Sequence, residues 1–323
     1  MLHLVVFSGL CNRLFAIVSG MRYARQTGQE LTIYWYIPVA RFGVPYAGTP
    51  GPEHLHCFFK KLPNITLKTW VPTLVEQLQR DNPKITILHD GSKVIPSFME
   101  KDRLGRIVFP ANFEEMIKSP LKFKREQDVL INMPTHPFGF EDDPPLQSVE
   151  DGEWRYPQEP GIRFKSQYEL ELSKFARKLE PVNQIQQIID YWRSRLDTLA
   201  NTGHKKKSKM GLHIRRTDLK TDMDQEQLDQ RVDTWINRHG KDHVFWITSD
   251  DYDIQWRYTS KYSSALGFPD ATKNENNLNG SQKSLVDLYL LAHCDHILGT
   301  KGSSFSYFSW MLSKDSTKFE IVF

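Results

Sequence analysis

The feature that most constrains this chain is a regular alternation of short apolar runs and helical stretches after residue 206. Predicted strands cover residues 210–214, 243–248 and 295–299, and predicted helices cover 224–238, 252–260, 281–293 and 304–313. Strands that alternate with helices form parallel sheets with helices packed on both faces. We therefore predict a Rossmann-like α/β domain here, and the stretch 264–280 leaves room for one further strand.

The beginning of the chain has the same βαβ pattern. The apolar run His3–Phe7 leads through Ser8 and Gly9 into a helical pattern that reaches Thr27, and residues 31–35 form the next strand. A glycine turn before a helix exposes backbone N–H groups to an anion or a sugar hydroxyl, although tight packing alone also requires a small residue there. Arg13, one turn into a helix that looks buried, needs a partner for its charge.

The middle of the chain is less regular. Residues 38–161 are rich in proline, glycine and aromatic residues, with a helix near 73–80 and strands near 84–88 and 128–132. Residues 166–200 have the period of two core-packing helices separated by Pro181. Since 323 residues exceed the usual size of one core, we predict two α/β lobes, residues 1–205 and residues 206–323.

Composition excludes several classes of protein. A net charge of +3 is too small to indicate nucleic acid as a partner, and the three cysteines are too few and too far apart for a disulfide framework or a cysteine zinc site. No run approaches the roughly 20 apolar residues of a membrane span. We therefore expect a cytoplasmic protein, or alternatively the luminal domain of a secretory-pathway enzyme.

Two adjacent arginines, Arg215 and Arg216, follow the predicted strand 210–214. A guanidinium group binds phosphate oxygens two at a time, which indicates an anionic ligand, and ion pairs with Asp218 and Asp222 are the alternative. Two other strands also end in polar residues, at 249–251 and at 301–306. Because ligands bind at the carboxyl ends of parallel strands, the three ends predict one site.

At these residues the chain resembles the GDP-fucose-dependent fucosyltransferases, which comprise the α1,6 enzymes and the related α1,2 and protein O-fucosyl families. Their His-x-Arg-Arg-x-Asp motif stands here as residues 213–218, and their acidic pair as Asp250 and Asp251. Their third motif matches the stretch from Asp287 to Ser306. A fourth likeness begins at Gly9-Leu10-Cys11-Asn12-Arg13-Leu14. Residues 40–205 contain no motif that matches this family.

The resemblance implies two Rossmann-like lobes of the GT-B type, an acceptor-side lobe over 1–205 and a nucleotide-sugar-binding lobe over 206–323. It implies an inverting glycosyltransferase that uses GDP-fucose as donor and an oligosaccharide or glycan as acceptor. It implies that Arg215 and Arg216 bind the β-phosphate and stabilise the leaving group. It places the other donor-binding residues around the nucleotide: His213 and Asp287 at guanine, Asp250 and Asp251 at the nucleoside, Ser303, Ser304 and Ser306 at phosphate, and Asp218, Gly9, Asn12 and Arg13 elsewhere in the site.

The residues themselves leave alternatives for several of these roles. His213 could be a satisfied core histidine, Asp287 could face solvent, and the serines could simply cap a helix. The triplets Asp222-Met223-Asp224 and Asp251-Tyr252-Asp253 spell the Asp-x-Asp pair of metal-dependent transferases. Since arginines and helix amides can also neutralise a departing diphosphate, we expect no metal and no cofactor.

The base that activates the acceptor lies in no motif. Five residues are eligible: Glu53, His54, His136, Glu141 and Asp142. Residues 136–143 combine aromatic and acidic side chains that suit a sugar, although a mobile surface loop has the same composition. Two other functions also remain open, namely transfer of another nucleotide-linked sugar such as rhamnose or xylose, and nucleotide or glycan binding without catalysis.

Overall fold

The computed structural model describes residues 1–6, 9–35, 55–62, 64–69, 71, 73–89, 122–123, 128–132, 139–140, 149–150, 153–154, 161–216, 224–268 and 280–322. The chain divides into two compact units, residues 1–155 and 156–323. The boundary predicted from the sequence was 205/206. The units divide earlier because the helix that contains Trp192 packs on the second sheet, where the Trp192 and Trp246 rings lie 5.8 Å apart.

The first unit is built on a parallel sheet. Its elements are β1 (Leu2–Val6), α1 (Leu10–Thr27), β2 (Leu31–Trp35), a short 3-10 helix (Leu55–Cys57), β3 (Ile65–Thr69), α2 (Leu74–Asp81), β4 (Thr86–His89), β5 (Lys122–Phe123), β6 (Val129–Asn132), β7 (Gly139–Phe140), β8 (Val149–Glu150) and β9 (Glu153–Trp154). Five strands pair in the order β3-β2-β1-β6-β4. Every pairing in this sheet is parallel. The order reverses between β1 and β6, so the segment after β1 lies at a topological switch point.

The second unit contains a six-stranded sheet. Its elements are β10 (Ile162–Arg163), α3 (Gln167–Ala176), α4 (Asn183–Asn201), β11 (Ser208–Ile214), α5 (Gln225–His239), β12 (His243–Ser249), α6 (Tyr252–Lys261), β13 (Ala265–Leu266), α7 (Gly280–Ala292), β14 (His296–Gly299), α8 (Ser304–Leu312) and β15 (Lys318–Ile321). The strand order is β10-β15-β14-β11-β12-β13. All pairings are parallel except that of β10 with β15.

Chain order in the second sheet fixes where a ligand can bind. From β11 the chain moves through β12 to β13 on one side and then continues with β14 and β15 on the other. The crevice outside the carboxyl ends of β11 and β14 is therefore the switch point of this unit. It is the position at which doubly wound sheets bind nucleotides.

The predicted α/β class with parallel sheets in two Rossmann-like units is confirmed, and β13 occupies part of the stretch that the sequence left open. Seven strands were not predicted, namely β3, β5, β7, β8, β9, β10 and β15. β15 has four residues, β3 is largely exposed, and the other five have only two residues each, which is too little for a clear apolar pattern. Among the helices that the structure describes, none has the length and apolar character that a bilayer span requires.

Local sequence explains where the helices of the second unit begin and end. Ser166 and Glu169 form a capping box at the start of α3, and Asp224 and Gln227 form one at the start of α5. Helix α7 is different, because Leu285, Val286, Asp287 and Leu288 are all buried. Because the helix is buried on several faces, the side chain of Asp287 is buried together with those of the neighbouring leucines.

Candidate functional site

The carboxyl ends of β11 and β14 are joined by the side chain of Thr300. Its hydroxyl donates to the backbone oxygen of His213 at 2.8 Å and accepts the backbone N–H of Arg215 at 3.0 Å. Thr300 is 1% exposed, so this bridge is shielded from water. It fixes the backbone of the first arginine relative to the turn that precedes α8.

His213 is a buried, neutral imidazole at this edge of the sheet. It is 4% exposed, and its Nδ1 lies 2.6 Å from Ser306 Oγ. Desolvation, partly opposed by Asp250 and supported by Arg215, lowers the pKa of His213 to about 3. The ring packs against Phe305 with 4.8 Å between centroids. The residue is therefore uncharged throughout the physiological pH range.

The two arginines are half-buried at the end of β11, and their backbone is anchored on both sides. Besides the bond from Arg215 to Thr300, the backbone N–H of Arg216 donates to Asp250 Oδ1 at 2.8 Å. Neither backbone bond uses a guanidinium group. These bonds fix the backbone of both arginines, so their side chains begin from defined positions at the switch point.

Asp287 lies at the same edge of the sheet, next to residues of β12. His213 and Thr248 are register partners in β11 and β12, so their side chains lie on one face, and Asp287 lies close to Thr248 and Trp246 on that face. Asp287 is 4% exposed, and its Oδ1 atom is buried without a hydrogen-bond partner. The side chains of Thr248 and Trp246 face this carboxyl, and the indole Nε1 of Trp246 is likewise buried without a hydrogen-bond partner. A buried carboxylate oxygen in this condition needs a donor.

Burial also sets the charge of Asp287. Desolvation, only partly offset by Lys283, Thr248 and Trp246, raises the pKa of this carboxyl to about 7. The carboxyl is therefore poised between its neutral and ionised forms near neutral pH. A ligand that donates hydrogen bonds would favour the ionised form. The predicted alternative, a solvent-facing Asp287, is wrong.

The acidic pair after β12 has two separate tasks. Asp250 holds the Arg216 backbone, as described, whereas Asp251 caps α6 by accepting the backbone N–H of Asp253 at 3.0 Å. Asp224 likewise caps α5. One aspartate of each Asp-x-Asp triplet, Asp224 of residues 222–224 and Asp251 of residues 251–253, is therefore a helix N-cap. Within the described ranges, no group of three or more histidine, cysteine or acidic residues is arranged to hold a metal ion.

The three serines before and within α8 differ in their surroundings. Ser303 is the N-cap of α8, and its hydroxyl accepts the Ser306 N–H at 3.4 Å. Ser304 is half-buried at the first helical position, where backbone N–H groups remain available to an anion. Ser306 is fully buried, with its hydroxyl against His213. Only Ser304 thus has a partly exposed side chain for a phosphate, and the roles predicted for all three remain predictions.

The residues Gly9, Asn12 and Arg13 lie in the first unit, after β1. Gly9 is the N-cap of α1 and has no side chain with which to close the helix amides. Arg13 is fully buried, and its Cζ lies 4.4 Å from the centroid of the Trp35 ring. Stacking on an aromatic face is one way to hold a guanidinium in an apolar setting. Asn12 is half-buried beside it.

Several predicted site residues lie outside the described residues. These are Asp218 and Asp222, the five eligible bases Glu53, His54, His136, Glu141 and Asp142, and the cluster at residues 136–143 apart from Gly139 and Phe140 of β7.

Sequence reasoning missed two residues of the site, Thr248 and Thr300. Thr248 is the second-to-last residue of β12 and Thr300 follows β14 directly. Threonine is common in strands for reasons of propensity alone. Their position at the carboxyl ends of adjacent parallel strands is the signal that could have identified them.

No protein-family model and no curated protein sequence matches the chain. Solved structures do. NodZ α-1,6-fucosyltransferase soaked with GDP-fucose has a TM-score of 0.54 at 16% identity, covering 97% of this chain and 92% of that chain. NodZ from Bradyrhizobium has the same score and identity, with 97% and 93% covered.

A mutant of FUT1 from Arabidopsis thaliana in complex with GDP has a TM-score of 0.50 at 13% identity, covering 96% of this chain and 68% of that chain. At such low identity a structural likeness reports the shared fold. The resemblance stated from the sequence motifs is therefore confirmed at that level. The chain has the fold of the fucosyltransferases NodZ and FUT1.

Proposed function

We propose that this protein is an inverting, metal-independent glycosyltransferase that moves fucose from GDP-fucose to a saccharide acceptor. The observation that carries the proposal is the edge formed by β11, β12 and β14. It combines a fixed arginine pair, a neutral buried histidine and a buried carboxylate oxygen that needs a donor. The fold is also that of NodZ, whose crystals were soaked with GDP-fucose.

Each group in this site has a task in the proposed reaction. Cleavage of the bond between fucose and the diphosphate builds negative charge on the leaving group while the sugar becomes oxocarbenium-like. Arg215 and Arg216 neutralise that charge, and the free N–H groups at the start of α8 add partial positive charge. Asp287 accepts from the N1–H and the amine of guanine, which form a parallel donor pair that a carboxylate matches.

The base selectivity can be tested by thermal unfolding. GDP should raise the melting temperature, since a ligand at about a hundred times its Kd adds about 2.7 kcal/mol to the free energy of unfolding. UDP should have little effect, because uracil lacks the adjacent donor pair that Asp287 requires. Equal stabilisation by the two nucleotides would contradict the guanine assignment. GDP binding without detectable donor hydrolysis would instead favour a non-catalytic binding protein.

Donor identity and metal independence need a direct assay. We expect release of fucose from GDP-fucose, with or without acceptor, to continue unchanged in excess EDTA. GDP-linked rhamnose and UDP-linked xylose serve as comparison donors. Activity that disappears in chelator and returns with Mn²⁺ would overturn the metal-independent mechanism. Faster turnover of a comparison donor would show that the transferred sugar is not fucose.

The pKa of Asp287 predicts how GDP affinity depends on pH. Because the ionised carboxylate is the form that accepts from guanine, affinity should rise with pH through about 7 and level off above it. Between pH 8 and pH 6 the ionised fraction, and with it the affinity, should fall about tenfold. Titration calorimetry at several pH values measures this change.

The matched control is Asp287→Asn, which keeps the shape of the side chain and removes its titration. The terminal phosphate of GDP also ionises near neutral pH, so the dependence that remains in the Asn variant reports the phosphate alone. We expect the variant to bind GDP more weakly and with a flatter pH profile. An unchanged profile would show that Asp287 does not contact the base.

A further inference from the structure

A chain of hydrogen bonds connects the turn before α8 to the imidazole of His213. Ser306 Oγ lies 2.6 Å from His213 Nδ1 and accepts the backbone N–H of Thr300 at 3.2 Å. Thr300 in turn donates its hydroxyl proton to the His213 backbone oxygen. Ser306 and Thr300 are 0% and 1% exposed, so water does not compete for these bonds.

The positions of the protons follow from this chain. A serine hydroxyl has one proton, and a buried hydroxyl needs an acceptor for it. Ser306 Oγ already accepts from Thr300, and His213 Nδ1 is the acceptor that its hydroxyl contacts among the described residues. Nδ1 is then unprotonated. Since burial keeps the ring neutral, the single ring proton must lie on Nε2.

We propose that Ser306 and Thr300 are positioning residues that fix His213 in its Nε2–H tautomer, so that the imidazole offers the ligand a hydrogen-bond donor beside the acceptor of Asp287. This inference rests on the proposed function, because it takes the ligand to be a guanine nucleotide. A fixed donor next to a fixed acceptor complements the C6 carbonyl and N1–H of guanine. Adenine has the opposite polarity at these two atoms, with an amine and a bare ring nitrogen. The tautomer thus determines base specificity.

The tautomer can be observed without any ligand. Long-range ¹H–¹⁵N correlation NMR distinguishes a protonated from an unprotonated ring nitrogen, and His213→Gln assigns the signal among the 11 histidines. In the wild-type protein we expect a neutral ring with the proton on Nε2 from about pH 5 to about pH 8. In Ser306→Ala both tautomers should be populated.

Ser309→Ala is the matched control. Ser309 is also in α8 and fully buried, but its hydroxyl donates to the backbone oxygen of Phe305 at 2.9 Å. This variant loses a buried serine hydroxyl from the same helix and should leave the His213 signals unchanged. A wild-type ring protonated on Nδ1, or a Ser306→Ala ring that keeps the wild-type tautomer, would overturn the proposal.

Nucleotide affinities give the second measurement. Wild-type protein and Ser309→Ala should prefer GDP to ADP equally, whereas Ser306→Ala should lose about tenfold of that preference, the effect of one hydrogen bond. Failure of the wild type to bind GDP would contradict the proposed function but not the tautomer. Tight GDP binding with unchanged preference in Ser306→Ala would contradict the positioning role alone.

Discussion

Arg215→Ala should reduce the rate of fucosyl transfer by about a hundredfold or more, because preorganised groups that meet developing charge are typically worth about 3–4 kcal/mol of transition-state stabilisation. Arg216→Ala should have an effect of the same order. A steady-state assay of GDP release from GDP-fucose measures both. The loss should appear mainly in kcat, since the charge on the leaving diphosphate grows towards the transition state.

The structure explains why these variants should remain folded. The backbone N–H groups of Arg215 and Arg216 are held by Thr300 and Asp250, and substitution of the side chains leaves both bonds in place. We expect melting temperatures close to that of the wild type. Arg215→Lys keeps the charge without the two-pronged geometry and should recover only part of the activity.

Arg238→Ala, in the exposed last turn of α5, controls for the loss of an arginine from the same unit. It should change neither activity nor stability. Near-normal turnover in both Arg215→Ala and Arg216→Ala would show that the arginine pair does not bind the diphosphate.

Gly299→Ala should destabilise the protein by about 1–3 kcal/mol, the usual cost of overpacking a dense interior. A Cβ atom at Gly299 would lie 2.8 Å from Ser306 Cβ and 2.8 Å from Phe319 Cε2. Both distances are shorter than real contacts allow, so the start of α8 or strand β15 must shift. Such a shift also moves Ser306 away from His213, and GDP affinity should fall together with stability.

Gly280→Ala is the control for this substitution. Gly280 begins α7, and no atom of the described residues lies within 4 Å of a Cβ added there. We expect it to be neutral or slightly stabilising in chemical denaturation, since alanine favours a helix more than glycine does. A free energy of unfolding for Gly299→Ala equal to that of the wild type would mean that α8 does not pack on β14 as described.

The sequence predicted the architecture of the second unit because its strands are apolar runs separated by well-formed helices. It also put Arg215 and Asp250 at the ends of the predicted strands 210–214 and 243–248, and the structure brings these two strand ends together. These are local signals that can be recognised within a few residues.

Other parts of the site depend on contacts that are distant along the chain. Thr300 binds the backbone of a residue 85 positions away, and Ser306 binds a side chain 93 positions away. No local pattern reports such pairings. The direction of Asp287 was equally hidden, because in an otherwise apolar helix a single aspartate shows no polar face. The boundary between the two compact units lies earlier than the predicted one for a related reason, since α4 joins the second unit through the packing of Trp192.

The place of β15 has a consequence for how the protein is made. This strand, residues 318–321, lies inside the second sheet between β14 and β10, so β10 has no partner there until the final strand arrives. On the ribosome, the first unit can fold while translation continues. The second unit must wait until synthesis has passed residue 321. A stalled or prematurely terminated chain would expose open sheet edges, which makes it a natural substrate for chaperones and proteases.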